Sequence, residues 1–245
     1  MERQFLNLIL FTCLILSSCQ QLPEKKEVVP VAEIQNNQQT TQIDNDKLIS
    51  YYSDIWDYIL MKSSYSSREL DEQTLFYMNQ HLKDVDKFKE YLNDSYYFLF
   101  FVIQEIEKAD LPIELAFLPY IESNYDPFSI SSSGAVGMWQ FMPRTGRLYE
   151  LERSWWNEDR HDPFRSTEAA VKYLKYLYQR FDNDLYHTLA AYNAGPSFLD
   201  RQIKKNQRRG LQADFWSLDL PAQTKNYVPK FIALKESPSK YSLNE

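Results

Sequence analysis

From Lys47 onward the apolar positions fall at helical spacing. Ile49, Tyr52, Ile55, Trp56, Ile59 and Leu60 recur with a 3.6-residue period. Leu70, Leu75, Met78 and Leu82 predict a second helix over about Glu69 to Leu82, and Val85, Phe88 and Leu92 a third over Asp84 to Leu92. Tyr96 to Ile103 is solidly apolar and aromatic. It is too short to cross a bilayer and predicts a buried helix continuing to Asp110. Pro112 suits the first turn of another helix, where its missing N–H costs nothing. Leu115, Leu118 and Glu122 then share one face.

Later segments follow the same rule. Ser166 or Thr167 is placed to cap a helix whose inner face is Ala170, Tyr173, Leu174, Leu177 and Phe181, with Glu168 in its first turn suiting the helix dipole. Leu185 to Ala194 predicts a short helix stopped by Gly195-Pro196. Two more are expected over Ser197 to Asn206 and Gln223 to Leu234. Strand signals are nearly absent. The predicted class is all-α, with at most a short β-hairpin in the irregular stretch from Ser131 to Gly137. All five glycines lie between Gly134 and Gly210, so backbone freedom is concentrated there.

The amino terminus follows other logic. Phe5 to Leu16 is an apolar run after Arg3, too short to span a membrane, and has the pattern of a secretory signal. Leu16-Ser17-Ser18-Cys19 resembles a bacterial lipoprotein box. That resemblance implies cleavage before Cys19, lipidation of Cys19 and a membrane anchor there. Cys13 would leave with the signal, so the mature chain would have no disulfide. Residues 20–46 are rich in Gln, Asn, Glu and Thr with no sustained period, the composition of a flexible tether. Gln20 and Gln21 follow the cysteine where an Asp would favour inner-membrane retention, so the outer membrane is the expected address, on the periplasmic face. The expected organisation is 1–18 signal peptide, 19–46 tether, 47–110 helical lead-in, 111–235 catalytic domain and 236–245 tail.

Charge narrows the partners. The net charge of −7 and pI of 5.1 argue against nucleic acid, which requires a basic stripe. Glu2 and Arg3 cancel, so losing residues 1–18 leaves the charge unchanged. A neutral polymer such as a glycan is compatible, and Tyr and Trp stack on sugar C–H faces. His81, His161 and His187 lack ligand spacing and cysteine partners, so no metal and no cofactor is expected. Ser123 lacks a His–Asp pair, which argues against a serine nucleophile.

Glu122 is the candidate acid. A carboxylate on an apolar stripe is desolvated, its pKa rises, and it becomes able to protonate a leaving oxygen near neutral pH. The alternative is a Glu that is solvated or that holds a structural partner, and its neighbours decide. Glu122-Ser123, Gly137-Met138-Trp139-Gln140, Ala191-Tyr192-Asn193-Ala194-Gly195 and Tyr227 occur in the order found in lytic transglycosylase domains of the goose-lysozyme-like type. The phrases GMWQFMPRTG, HDPFRSTEAAVKYL, AAYNAG and LPAQTKNYVPK resemble most the membrane-bound lytic murein transglycosylase D subfamily. The resemblance covers about Leu111 to Leu234 strongly and Lys47 to Asp110 more weakly.

That resemblance implies a lysozyme-like helical fold with a groove for peptidoglycan. Glu122 matches the catalytic acid/base, and Ser123 a residue that orients substrate beside it. Met138 and Gln140 match residues lining the glycan cleft. Tyr192 matches a tyrosine approaching the acid, Asn193 a sugar contact, and Tyr227 the late cleft tyrosine. Met138 stands where Leu is usual, a swap of one flexible apolar filler for another. Gln223 stands where Glu is usual, which puts in question any charged contact that helps hold Tyr227. A monomer is expected.

A glycosidase normally uses two carboxylates. The acidic choices for a second group near Glu122 are Asp126, Asp159, Asp162 and Glu168, and Ser129 to Gln140 contains none. Asp162 has the setting of a turn or cap. The family resemblance implies a one-carboxylate route that closes a 1,6-anhydro ring on muramic acid. A lysozyme-type hydrolase and a catalytically silent peptidoglycan-binding lipoprotein are the alternatives.

Overall fold

The structure, a computed structural model, describes residues 55–63, 71–83 and 94–241. The expected signal, Cys19, the tether, the start of the first helix at Lys47 and the helix over Asp84 to Leu92 lie outside those residues.

The described chain is helical, with only isolated antiparallel bridges and no named strand among these residues. Helix α1 is Ile55–Lys62, α2 Glu72–Lys83 and α3 Tyr96–Lys108. Leu99, Val102, Ile103 and Ile106 form the buried stripe of α3, as its apolar run predicts. Tyr58 of α1 donates to Glu107 of α3 at 2.5 Å.

The single helix expected from Pro112 is two pieces. Ile113–Phe117 is a 3₁₀ turn and Leu118–Ser123 is α4, with Pro119 in its first turn. Pro119 has no N–H to continue an α ladder from the preceding turn, so the break falls there. Asn124 at φ 53° and Tyr125 at φ 64° then take left-handed conformations and end α4. Buried Tyr125 folds back, its hydroxyl donating to the Ala116 carbonyl.

The irregular stretch forms a tight double bridge, Ile130 with Val136 and Val136 with Phe141. It leads into the short helix α5, Pro143–Leu148. Helix α6 runs Pro163–Arg180. Its cap is Asp162, whose side chain accepts from the Phe164 and Arg165 amides, rather than Ser166 or Thr167. Asp followed by Pro starts a helix better than either hydroxyl residue four or five positions on. Ser166 and Thr167 are buried in the first turn and donate to the carbonyls of Asp162 and Pro163, both at 2.6 Å.

Helix α7 is Leu185–Ala194, as its boundaries in sequence predict, and Asp184 caps it through the His187 amide. Helices α8, Pro196–Arg208, and α9, Ala222–Tyr241, follow among the described residues. Helix α9 passes through the expected domain end at residue 235. Helix α7 packs against α6, α8 and α9, and α9 also packs on α2 and α4. The ends of α4 and α7 and the first turns of α9 meet as a result.

Candidate active site

Glu122 is the penultimate residue of α4. Its oxygen Oε1 accepts a hydrogen bond from the hydroxyl of Tyr227 on α9. The residue retains some solvent access, and its surroundings otherwise strip water from the carboxyl. Desolvation raises the Glu122 pKa from 4.5 to about 7, and the Tyr227 hydrogen bond opposes that rise by favouring the ionised form. Burial also pushes both Tyr192 and Tyr227 well above the usual phenol range, and the nearby Glu122 charge adds to this. Both phenols therefore stay protonated and act as donors.

The two tyrosines divide their work. Tyr227 serves the carboxylate, while the Tyr192 hydroxyl donates to the Trp139 carbonyl at 2.7 Å. Tyr192 thus ties α7 to the Gly137–Gln140 turn. Behind it the Tyr173 ring lies 5.5 Å from the Tyr192 ring and 5.1 Å from Tyr149, an aromatic backing between α6 and the site.

Gly137 shapes that turn. Its φ is 82°, and a Cβ there would lie 1.8 Å from the Arg160 carbonyl oxygen. Only glycine accommodates both demands. The Gly137 carbonyl accepts from the Gln140 amide at 3.0 Å and from Gln140 Nε2 at 2.8 Å. Gln140, at φ 50° and half-buried, is thereby folded onto its own turn and also reaches the Ser129 carbonyl at 3.3 Å. Met138 and Trp139 are fully buried, and the Trp139 indole donates to Thr167 at 2.9 Å. Ser123 donates to the Met138 carbonyl at 2.9 Å, which latches α4 to the same turn. Asn193, in the last turn of α7, accepts from Thr224 at 2.9 Å.

Glu122, Ser123, Gln140, Tyr192, Asn193 and Tyr227 are therefore linked through one another or through the Gly137–Gln140 turn, or lie on the helix ends that meet beside it. Met138 contributes its backbone carbonyl, its side chain being core. Two residues that the sequence reading passed over support them. Arg160 is buried and holds Glu158 in two charge-assisted bonds at 2.7 Å, while its Nη1 donates to the Phe141 carbonyl at 2.9 Å. Thr224 is buried one helical turn before Tyr227. Arg160 directly precedes the phrase HDPFRSTEAAVKYL and Thr224 lies inside LPAQTKNYVPK, where its i, i+3 spacing with Tyr227 was the available signal.

Three of the four carboxylates considered as a second acid are committed elsewhere. Asp126 accepts from the Phe128 amide at 2.8 Å, Asp162 caps α6, and Glu168 is exposed. Asp159 is buried, pairs with Arg165 at 3.0 Å and accepts from the Glu152 amide. No group of His, Cys, Asp and Glu among the described residues is arranged to hold a metal.

The site is thus one half-buried acid at a helix end, backed by a glycine turn and two tyrosines, in a helical fold. Residues 101–215 match the family described as Transglycosylase SLT domain. The chain is 40% identical over 152 residues to the membrane-bound lytic murein transglycosylase D of Escherichia coli strain K12, covering 60% of this chain and 34% of that protein. With the membrane-bound lytic murein transglycosylase F of Alcanivorax borkumensis it shares 32% over 108 residues, 42% of this chain and 22% of the relative. The chain thus spans about a third of the first relative's length. The crystal structure of the 70 kDa soluble lytic transglycosylase from Escherichia coli superposes with a TM-score of 0.50 at 21% identity, over 82% of this chain and 34% of that one, a likeness of fold. Among the described residues no helix is long and apolar enough to cross a membrane.

Proposed function

We propose that the protein cleaves the β-1,4 bond between N-acetylmuramic acid and N-acetylglucosamine in peptidoglycan, leaving 1,6-anhydro-muramic ends. The observation that carries this reading is Glu122, an acid titrating near neutrality and bonded to Tyr227, with Asp126, Asp159 and Asp162 each engaged elsewhere.

Protonated Glu122 delivers its proton to the glycosidic oxygen as that bond breaks. The oxocarbenium-like centre is stabilised by the substrate's own N-acetyl group. Glu122, now ionised and held by Tyr227, takes the proton of the muramic 6-hydroxyl, whose oxygen bonds to C1. The proton taken equals the proton given, and no water is consumed. A single acid/base suffices because the nucleophile is part of the substrate, whereas a hydrolase needs a second group to activate water.

In this scheme Glu122 is the catalytic residue, Tyr227 holds its ionised form, and Gln140 and Asn193 face the sugar. Ser123, Met138 and Tyr192 act through the Gly137–Gln140 turn, which they fasten to α4 and α7. Cys19 carries the lipid that keeps the enzyme at the periplasmic face of the envelope, in the outer membrane, and the enzyme acts as a monomer.

The test is digestion of purified sacculi by the full chain, with mass spectrometry of the released muropeptides. Products lighter by one water than hydrolysis products are expected, and none from Glu122→Gln. Reducing muramic ends would overturn the reading in favour of a hydrolase. Binding without turnover would overturn it in favour of a scaffold.

A further inference from the structure

Helix α9 meets the site at two points. Tyr227 reaches Glu122, and one turn earlier Thr224 reaches Asn193. Thr224 is 2% exposed, so its hydroxyl is out of reach of a sugar. Its hydroxyl donates to Asn193 Oδ1 at 2.9 Å. Asn193 itself is half-buried at the end of α7 and keeps solvent access.

An asparagine amide presents a carbonyl acceptor on one side and two N–H donors on the other, and nothing in its own shape distinguishes the two orientations. A donor on one side favours the orientation that turns the carbonyl towards it. Thr224 is such a donor towards the carbonyl, so the Nδ2 hydrogens are turned away from α9. We infer that Thr224 is a positioning residue that sets the orientation of the Asn193 amide, so that Asn193 offers N–H donors to an acceptor oxygen of the bound sugar. This rests on the proposed glycan-cleaving function and adds a determinant of substrate affinity to it. Gln223, where a glutamate is expected, is exposed beside Thr224 and makes no part of this link.

Removing the hydroxyl has a defined consequence. Thr224→Val keeps the shape but leaves Asn193 Oδ1 with no buried donor, and the amide becomes free to turn over. Sugar binding should weaken by about tenfold, the scale of one lost hydrogen bond. Glu122 and Tyr227 are untouched, so the loss should fall on KM and leave kcat and its pH profile in place. Thr224→Ser, which retains the hydroxyl, should recover most of the affinity.

Binding is measured with the full chain in the Glu122→Gln background, using purified glycan strands by calorimetry, beside KM and kcat in the active chain. The expected result is weaker binding for Thr224→Val, recovery for Thr224→Ser, and no further loss when Thr224→Val is added to Asn193→Ala. Equal losses for Val and Ser, or additive losses with Asn193→Ala, would overturn the inference, as would reduced thermal stability with unchanged affinity. Because the binding arm uses an inactive background, it answers whether or not anhydro products form. Glycan binding with the expected pattern but no anhydro products would sink the proposed reaction and leave the Thr224 link standing.

Discussion

The Tyr227 hydroxyl and the Glu122 carboxylate form a donor–acceptor pair that joins the last helix to the end of α4. The bond favours the ionised acid, while burial favours the neutral one, and burial prevails, leaving Glu122 at about 7. Tyr227→Phe removes the opposing influence, so the Glu122 pKa rises further, by about one unit. The first step needs protonated Glu122, so the alkaline limb of kcat/KM should move upward while the rate falls. An unmoved limb would show that Tyr227 does not govern the acid.

Glu122→Gln should abolish turnover and stabilise the fold. A folded pKa raised from 4.5 to about 7 means that the native state resists ionisation. Stability from this group is full below the unfolded pKa and is lost as pH rises through the folded one. Gln does not titrate. The variant should match wild type near pH 4 and exceed it by roughly 2–3 kcal/mol above pH 7. Thermal melts across that range check this, and parallel curves for both proteins would contradict it.

Gly137→Ala is expected to be severely destabilising, by about 3 kcal/mol or more, because strain at positive φ adds to a backbone clash. The Arg160 carbonyl that a methyl would strike belongs to the main chain and cannot swing aside. Urea unfolding would measure the loss, and a near-wild-type midpoint would refute it.

Asp162 separates a cap from a catalytic carboxylate. Asp162→Ala should cost about 1 kcal/mol through the lost cap of α6. Asp162→Asn keeps an accepting oxygen and should retain both stability and turnover. A hundredfold loss of activity in the Asn variant would make Asp162 the second acid and require a different mechanism.

Local signals carried most of the fold. Helix α7 lies where its apolar run and Gly195-Pro196 place it, and α3 where its apolar stripe does. Misplaced boundaries trace to prolines. Pro119 splits the Pro112–Glu122 helix, and Asp162-Pro163 starts α6 with a cap four or five residues before the expected ones. At the site, the ordered motifs pointed to Glu122, Tyr192 and Tyr227, but not to which phenol serves the carboxylate. That allocation depends on how α7 and α9 cross, and no periodicity within either helix encodes it. Arg160 and Thr224 escaped notice for a similar reason: each matters through a partner distant in sequence, Phe141 for one and Asn193 for the other.

The contact between Gly137 and the Arg160 carbonyl also constrains how this site could be moved or rebuilt. The Gly-Met-Trp-Gln segment has its curvature imposed by a neighbouring stretch of main chain, and the Arg160 side chain fastens the far end of the same segment at Phe141. Grafting the four residues onto another helical scaffold would transfer their letters and lose their shape. A working transplant must carry the Glu158–His161 stretch as well, so the two behave as a single heritable cassette.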